Sequence, residues 1–258
     1  MNPLVIKIGG ILLDNKEALY NLFYAISKNQ HHKNRSLIII HGGGFLIDNL
    51  MKKLYIPIKK INGIRITPKD QISIIIAALE TVNKILLSWA KKFKINKSLG
   101  LCIGDGDISD VKYINKKIGN VGNILTKKSN LLKILIKNNY LPIINSIGIN
   151  NDGNLININA DQVAASIAES LNADLIFLTD VSCVFDGKGK KIKKITNKTS
   201  KKLISKGIIT NGMIVKIKSA IKTSKILKKS VEICSWYRSD KLLNIFKGQS
   251  YGTCVYFK

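Results

Sequence analysis

Two glycine turns and one oddly placed lysine are the first residues here that could do chemistry. Gly9-Gly10 follows the apolar run at 4–8, and Gly42-Gly43-Gly44 follows the β-branched run at 36–41. Each turn stands between a strand-like and a helix-like segment. Glycine there lets backbone N–H groups approach an anion, helped by the start of the helix. One Gly-Gly alone reads as a tight turn. Two of them on neighbouring strands point to a ligand site at the carboxyl ends of a parallel sheet. Lys7 sits inside Leu4-Val5-Ile6-Lys7-Ile8, where a buried ammonium is costly without an anionic partner. At the mouth of a glycine-lined site it can neutralise a phosphate as a point charge. Asp161 follows Asn157-Ile158-Asn159-Ala160 and, by itself, reads as an acid complementing a helix dipole. Lys216, in Gly212-Met213-Ile214-Val215-Lys216, by itself reads as a surface helix lysine. There is no GxxxxGK[ST], and no GxGxxG opens a helix after the first strand, so neither a P-loop nor a Rossmann dinucleotide site is supported. The three histidines lack metal-ligand spacing, and no GxSxG elbow occurs.

A parallel sheet has to present these residues. The first 55 residues read strand, glycine turn, helix, strand, glycine turn, helix, with helical apolar spacing at 16–28 and 45–54. A long helix is predicted over 69–93 and strands over 99–104, 141–144 and 175–178. A hairpin is predicted over 111–118 and 123–126, and a second one closes at the turn Asn151-Asp152-Gly153-Asn154. Helices follow at 131–137, 160–171, 198–206 and 213–227, and closing strands at 231–234 and 254–257. No linker divides the chain. The expectation is a three-layer αβα sandwich with a mainly parallel open sheet, one domain over 1–258. Its N-terminal lobe would cover about 1–172 and its C-terminal lobe about 173–258.

The composition narrows the function classes. The chain has 258 residues, 42 Lys+Arg against 16 Asp+Glu, and a formal net charge of +26. Apolar residues at 45% exclude a disordered chain. The longest apolar stretches fall short of a bilayer span, and the N-terminus reads as strand rather than leader. A charge of +26 invites a nucleic-acid reading. Yet only Arg35, Arg65 and Arg238 are arginines. Nucleic-acid readers favour arginine, and no recognition motif accompanies the lysines. Lysine, isoleucine and asparagine share A/T-rich codons, so genome composition accounts for the excess and nucleic acid is not the expected partner. Four cysteines without CxxC spacing fit a reducing cytoplasm.

Seven segments in order then carry a resemblance: Val5-Ile6-Lys7-Ile8-Gly9-Gly10, Ile40-His41-Gly42-Gly43-Gly44, Asn62-Gly63-Ile64-Arg65-Ile66-Thr67, Gly104-Asp105-Gly106-Asp107, Asn157-Ile158-Asn159-Ala160-Asp161-Gln162, Leu178-Thr179-Asp180-Val181-Ser182 and Gly212-Met213-Ile214-Val215-Lys216. With them the chain resembles the acetylglutamate kinases of the amino acid kinase family, most of all their short, arginine-insensitive bacterial form. The resemblance implies phosphoryl transfer from ATP, with Mg2+ carried on its phosphates, to the side-chain carboxylate of N-acetyl-L-glutamate. An acceptor that is already an anion needs no general base, and catalysis is then mostly positioning and charge neutralisation. By the resemblance, Lys7 and Lys216 flank the transferring phosphoryl group and Asp161 holds both ammonium groups. Gly10, Gly43 and Gly44 offer backbone donors. Gly43, Gly44, Arg65 and Asn157 bind the acetylated amino acid. Asp180, Val181, Ser182, Cys183, Val184, Phe185, Ile208, Ile209 and Thr210 line the nucleotide site. No protein metal site is implied. Glu80 and Cys183 stand where the family usually has glycine. Arginine-inhibited hexameric relatives carry an extra helix before the first strand, which here begins at Leu4, so a homodimer without arginine feedback is expected, with the long helix as its face. Glutamate 5-kinase and uridylate kinase types are the alternatives within the family.

Overall fold

A computed structural model describes residues 1–31, 35–61, 64–181, 183–209 and 211–258. Asn62, Gly63, Ser182 and Thr210 therefore lie outside the described residues. A central sheet of eight strands runs in the order Lys194–Thr196, Thr253–Tyr256, Val231–Ser235, Asp174–Thr179, Leu4–Ile8, Leu37–His41, Leu141–Asn145 and Ser98–Cys102. Neighbours pair in parallel except Val231–Ser235 with Thr253–Tyr256. Strands covered on both faces read as continuous apolar runs, as Leu37–His41 and Leu141–Asn145 do, each buried throughout.

Alternation along the first strand assigns its side chains to two layers. Leu4, Ile6 and Ile8 face a core shared with Leu19, Leu22 and Phe23 of the helix Lys16–His31, and with Leu242 and Phe246 of Ser239–Phe246. Val5 faces the other core, with Val163 and Ile167 of Ala160–Ser170 and Ile217 of Asn211–Leu227. Lys7 shares Val5's side, so its ammonium rises toward those two helices. The expected αβα sandwich is present.

The two hairpins belong to a smaller four-stranded sheet. It runs Asp110–Tyr113, Val121–Leu125, Leu155–Ile158, Ile147–Ile149. The outer pairs are antiparallel and the central pair is parallel. The long helix Ile72–Lys92 follows a short 3-10 turn at Lys69–Gln71. Together they are long and apolar enough to cross a membrane by length and composition, and a third of that apolar window is buried in the chain. Val82, Leu86 and Ala90 pack into one core, and Ile75, Ala78 and Leu79 into another, which makes it a packing helix of the domain. The helix Ser239–Phe246 was not anticipated.

Candidate active site

The carboxyl ends of three adjacent strands meet at one edge of the sheet. Leu4–Ile8 leads into Gly9-Gly10, Leu37–His41 into Gly42-Gly43-Gly44, and Asp174–Thr179 into Asp180. Two of these glycines leave little room for a side chain. A Cβ on Gly10 would sit 3.1 Å from the Phe45 Cβ, and one on Gly43 would sit 2.9 Å from Leu79 Cδ2. Gly44 faces open space. Behind the triple glycine, His41 is fully buried and its Nε2 lies 2.8 Å from Asn83 Oδ1. Asn83 Nδ2 donates to the Leu101 carbonyl, which leaves Oδ1 as the acceptor and Nε2 as the protonated nitrogen. Burial pushes the imidazole down to about 4 against the opposing hydrogen bond it donates to Asn83, so His41 is a neutral support for the turn.

Lys7 Nζ forms an ion pair with Asp161 Oδ1 at 2.9 Å. Asp161 is delivered there by the capped start of Ala160–Ser170, where Asn159 Oδ1 accepts from the N–H groups of Asp161 and Gln162. Its other oxygen, Oδ2, accepts from the Ser219 hydroxyl. Burial alone would raise the Asp161 carboxyl. The charge and hydrogen bond of Lys7, the Ser219 hydroxyl and the charge of Lys222 outweigh it, and the pKa lies below the ordinary value.

Lys216 departs from the expectation. Its ammonium donates to Asp180, not to Asp161. Lys7 lies on Oδ1 of Asp161 and Ser219 on Oδ2, and Lys216 finds its carboxylate beyond the end of Asp174–Thr179. Asp161 thus holds one of the two ammonium groups rather than both. Lys7, Gly10, Asp161, Asp180, Lys216 and Ser219 line one cavity of about 190 Å³.

A second cavity, of about 690 Å³, shares Asp180 with the first. Its walls include Val181, Cys183, Val184, Phe185, Ile208 and Ile209. Every described residue of the sequence-derived nucleotide set therefore lines one space, within the size range of small-molecule sites. Asp186, Met213, Ser235, Tyr237, Arg238, Lys241 and Tyr251 complete the walls and were missed. The apolar spacing of Leu242, Ile245 and Phe246 after Asp240 was the signal for the helix that brings Lys241 there.

Arg65, Asn157 and Gly44 form an adjoining cluster. Arg65 is buried, donates through Nη2 to Asp48 and to the Gly44 carbonyl at 3.5 Å, and reaches Met51 Sδ at 3.3 Å. Burial would raise the Asp48 carboxyl, but hydrogen bonds from Arg65 and Lys60 hold it below its ordinary value. Asn157 Nδ2 donates to Thr67 Oγ1, whose hydroxyl donates to the Arg65 carbonyl, both at 3.2 Å. Thr67 was not singled out in the sequence, yet it links the two proposed substrate residues. Of the two departures from the family pattern, Glu80 accepts a hydrogen bond from Asn145 Nδ2 at 2.7 Å, and Cys183 is buried in the larger cavity's wall. Thiol chemistry at Cys102 is disfavoured: burial and the neighbouring Asp105 push its thiol up to about 12.

A family model described as the amino acid kinase family matches residues 2–235. The chain belongs to the amino acid kinase family. It is 48% identical over 256 residues to an acetylglutamate kinase of Proteus mirabilis, covering 99% of each chain. It is equally identical over 257 residues to one from Buchnera aphidicola, covering 99% of this chain and 100% of that one. A solved structure from Streptococcus mutans superposes with a TM-score of 0.77 at 32% identity, covering 99% of this chain and 98% of that one.

Proposed function

We propose that this chain transfers the γ-phosphoryl group of ATP to the side-chain carboxylate of N-acetyl-L-glutamate, giving N-acetyl-L-glutamyl 5-phosphate in arginine biosynthesis. The observation that carries this reading is the near-half identity to acetylglutamate kinases along 99% of the chain. The cleft fits it chemically. ATP would occupy the larger cavity with its phosphates toward Asp180, where the two spaces meet. The acetylated amino acid would lie by Gly43 and Gly44, between Arg65 and Asn157, its α-carboxylate on the guanidinium.

A carboxylate oxygen of the acceptor forms the new bond to the γ-phosphorus. The bond from that phosphorus to the β,γ-bridging oxygen breaks, and ADP leaves with the electron pair. No proton moves, so no base is needed. Lys7 and Lys216 neutralise the charge gathering on the phosphoryl oxygens, and backbone N–H groups at Gly10 and Gly44 add donors. Asp161 keeps Lys7 aimed into the cleft. Magnesium travels on the phosphates and needs few protein ligands.

The partly covered apolar side of the long helix supports a homodimer through that face, and cysteines outside disulfides suit a cytoplasmic enzyme. Sedimentation as a single 28.6 kDa species at micromolar concentration would count against the dimer. The functional test is a hydroxylamine-trapped kinase assay with N-acetylglutamate, glutamate and UMP offered separately. Hydroxamate forms with the acetylated substrate. Turnover of glutamate or UMP in its place would reassign the acceptor.

A further inference from the structure

Residues near the C-terminus tie together walls of the larger cavity, and one carboxylate anchors them from outside it. Glu232 lies on Val231–Ser235 and does not line that cavity. Its Oε1 accepts from Ser250 Oγ at 3.1 Å, from the Tyr251 N–H at 2.6 Å and from the Gly252 N–H. Hydrogen bonds to an ionised acceptor are about twice as strong as neutral ones. Gly252 runs so close to the strand that a Cβ there would fall 2.0 Å from the Ile233 carbonyl oxygen. The next residue, Thr253, is fully buried. Its hydroxyl donates to the Ile192 carbonyl at 2.7 Å and accepts from the Val184 N–H at 2.9 Å.

Tyr251 and Val184 are both cavity walls. The Tyr251 carbonyl accepts from Lys191 Nζ. Its ring centroid lies 4.8 Å from Lys191 Nζ and 4.6 Å from Lys241 Nζ, within cation–π range. Tyr251 is thereby fastened to the hairpin of Val184–Phe185 with Lys191–Ile192, and to the helix that carries Lys241. Three separate parts of the chain become one wall, and the fastening runs back to Glu232.

We propose that Glu232 is a positioning residue for the nucleotide site: it fixes the turn at 250–252 and, through Tyr251 and Thr253, sets the wall against which the nucleotide packs. This rests on the reading of the larger cavity as the ATP site. Glu232 touches neither substrate and takes no part in the transfer.

The test compares wild type, Glu232→Ala and Glu232→Gln by titration with a fluorescent ADP analogue and by initial rates. Glu232→Ala weakens nucleotide binding about tenfold, the scale of losing a hydrogen bond to a charged acceptor. It raises the apparent KM for ATP by a similar factor and leaves the KM for the acetylated amino acid within about twofold. Glu232→Gln keeps a carbonyl acceptor and retains most of the affinity. A bare charge effect has the opposite sign, because removing a negative charge favours a polyanion, and it does so equally in both variants. That pattern, wild-type nucleotide affinity in a folded Glu232→Ala chain, or equal loss for both substrates would overturn the proposal. If Glu232→Ala does not fold, Glu232→Asp, whose carboxylate is drawn back by one methylene from the turn at 250–252, carries the same expectations and the same contrary outcomes. The titration needs no acceptor. Binding by wild type with no loss in the variants rejects the role of Glu232 alone, whereas no binding by wild type rejects the reading of the cavity.

Discussion

Lys216 rests on Asp180 while Lys7 rests on Asp161, so the two ammonium groups of the cleft are held by separate carboxylates. This arrangement predicts independence. Asp161→Asn loosens Lys7, and Asp180→Asn loosens Lys216. The loss in kcat/KM in the double variant should exceed that of either single variant. A double variant no worse than the more damaged single one would mean that one carboxylate serves both lysines during turnover.

Lys7→Ala removes a cation that can stabilise the transferring group. We expect kcat to fall by roughly 10²–10³, the size of losing one transition-state donor. Steady-state kinetics on the folded variant checks this, and an unchanged kcat removes Lys7 from the chemistry.

Arg65→Lys replaces a planar fork with a point charge at a buried position. The apparent KM for N-acetylglutamate should rise about tenfold, with the KM for ATP little changed. A defect confined to ATP would place Arg65 outside the amino-acid site.

The Asp161 carboxyl is held below its ordinary value of 3.8 in the folded chain, because Lys7 and Ser219 outweigh the cost of burial. A depressed folded-state pKa contributes stability above the unfolded value and loses it as pH falls through the folded one. Acid unfolding of wild type below about pH 4 should therefore be steeper than that of Asp161→Asn, which carries no such group. Denaturant midpoints measured between neutral pH and that range supply the comparison. Parallel curves would contradict the coupling.

Glu80 and Asn145 join the long helix to the sheet strand Leu141–Asn145. A double-mutant cycle with Glu80→Ala and Asn145→Ala should give a coupling of about 1 kcal/mol in unfolding free energy. Zero coupling would make the carboxylate at Glu80 a bystander.

What the sequence made legible was what local pattern can encode. The glycine turns, Lys7 in its apolar strand and the helical spacing after each turn all follow from period and residue type. The nucleotide segment Asp180 to Phe185 came from the resemblance to the family and not from local pattern. The rest depended on contacts between distant segments. Tyr237, Lys241 and Tyr251 reach the larger cavity because Val231–Ser235 lies beside Asp174–Thr179 and because Glu232 pins the turn before Thr253–Tyr256. No residue spacing announces that pairing. The resemblance put Lys216 on Asp161, but two carboxylates lie within the cleft and the helix Asn211–Leu227 brings Lys216 to Asp180. Thr67 escaped for the same reason: its link to Asn157 spans two elements.

The most direct test follows the phosphoryl group itself. With ATP labelled at the γ-phosphate, magnesium and N-acetylglutamate, the label should appear on the acetylated amino acid as a hydroxylamine-sensitive acyl phosphate. It should do so with wild type and be nearly absent with Lys7→Ala. Label released only as inorganic phosphate, or recovered on glutamate or UMP while acetylglutamate stays unlabelled, would contradict the account.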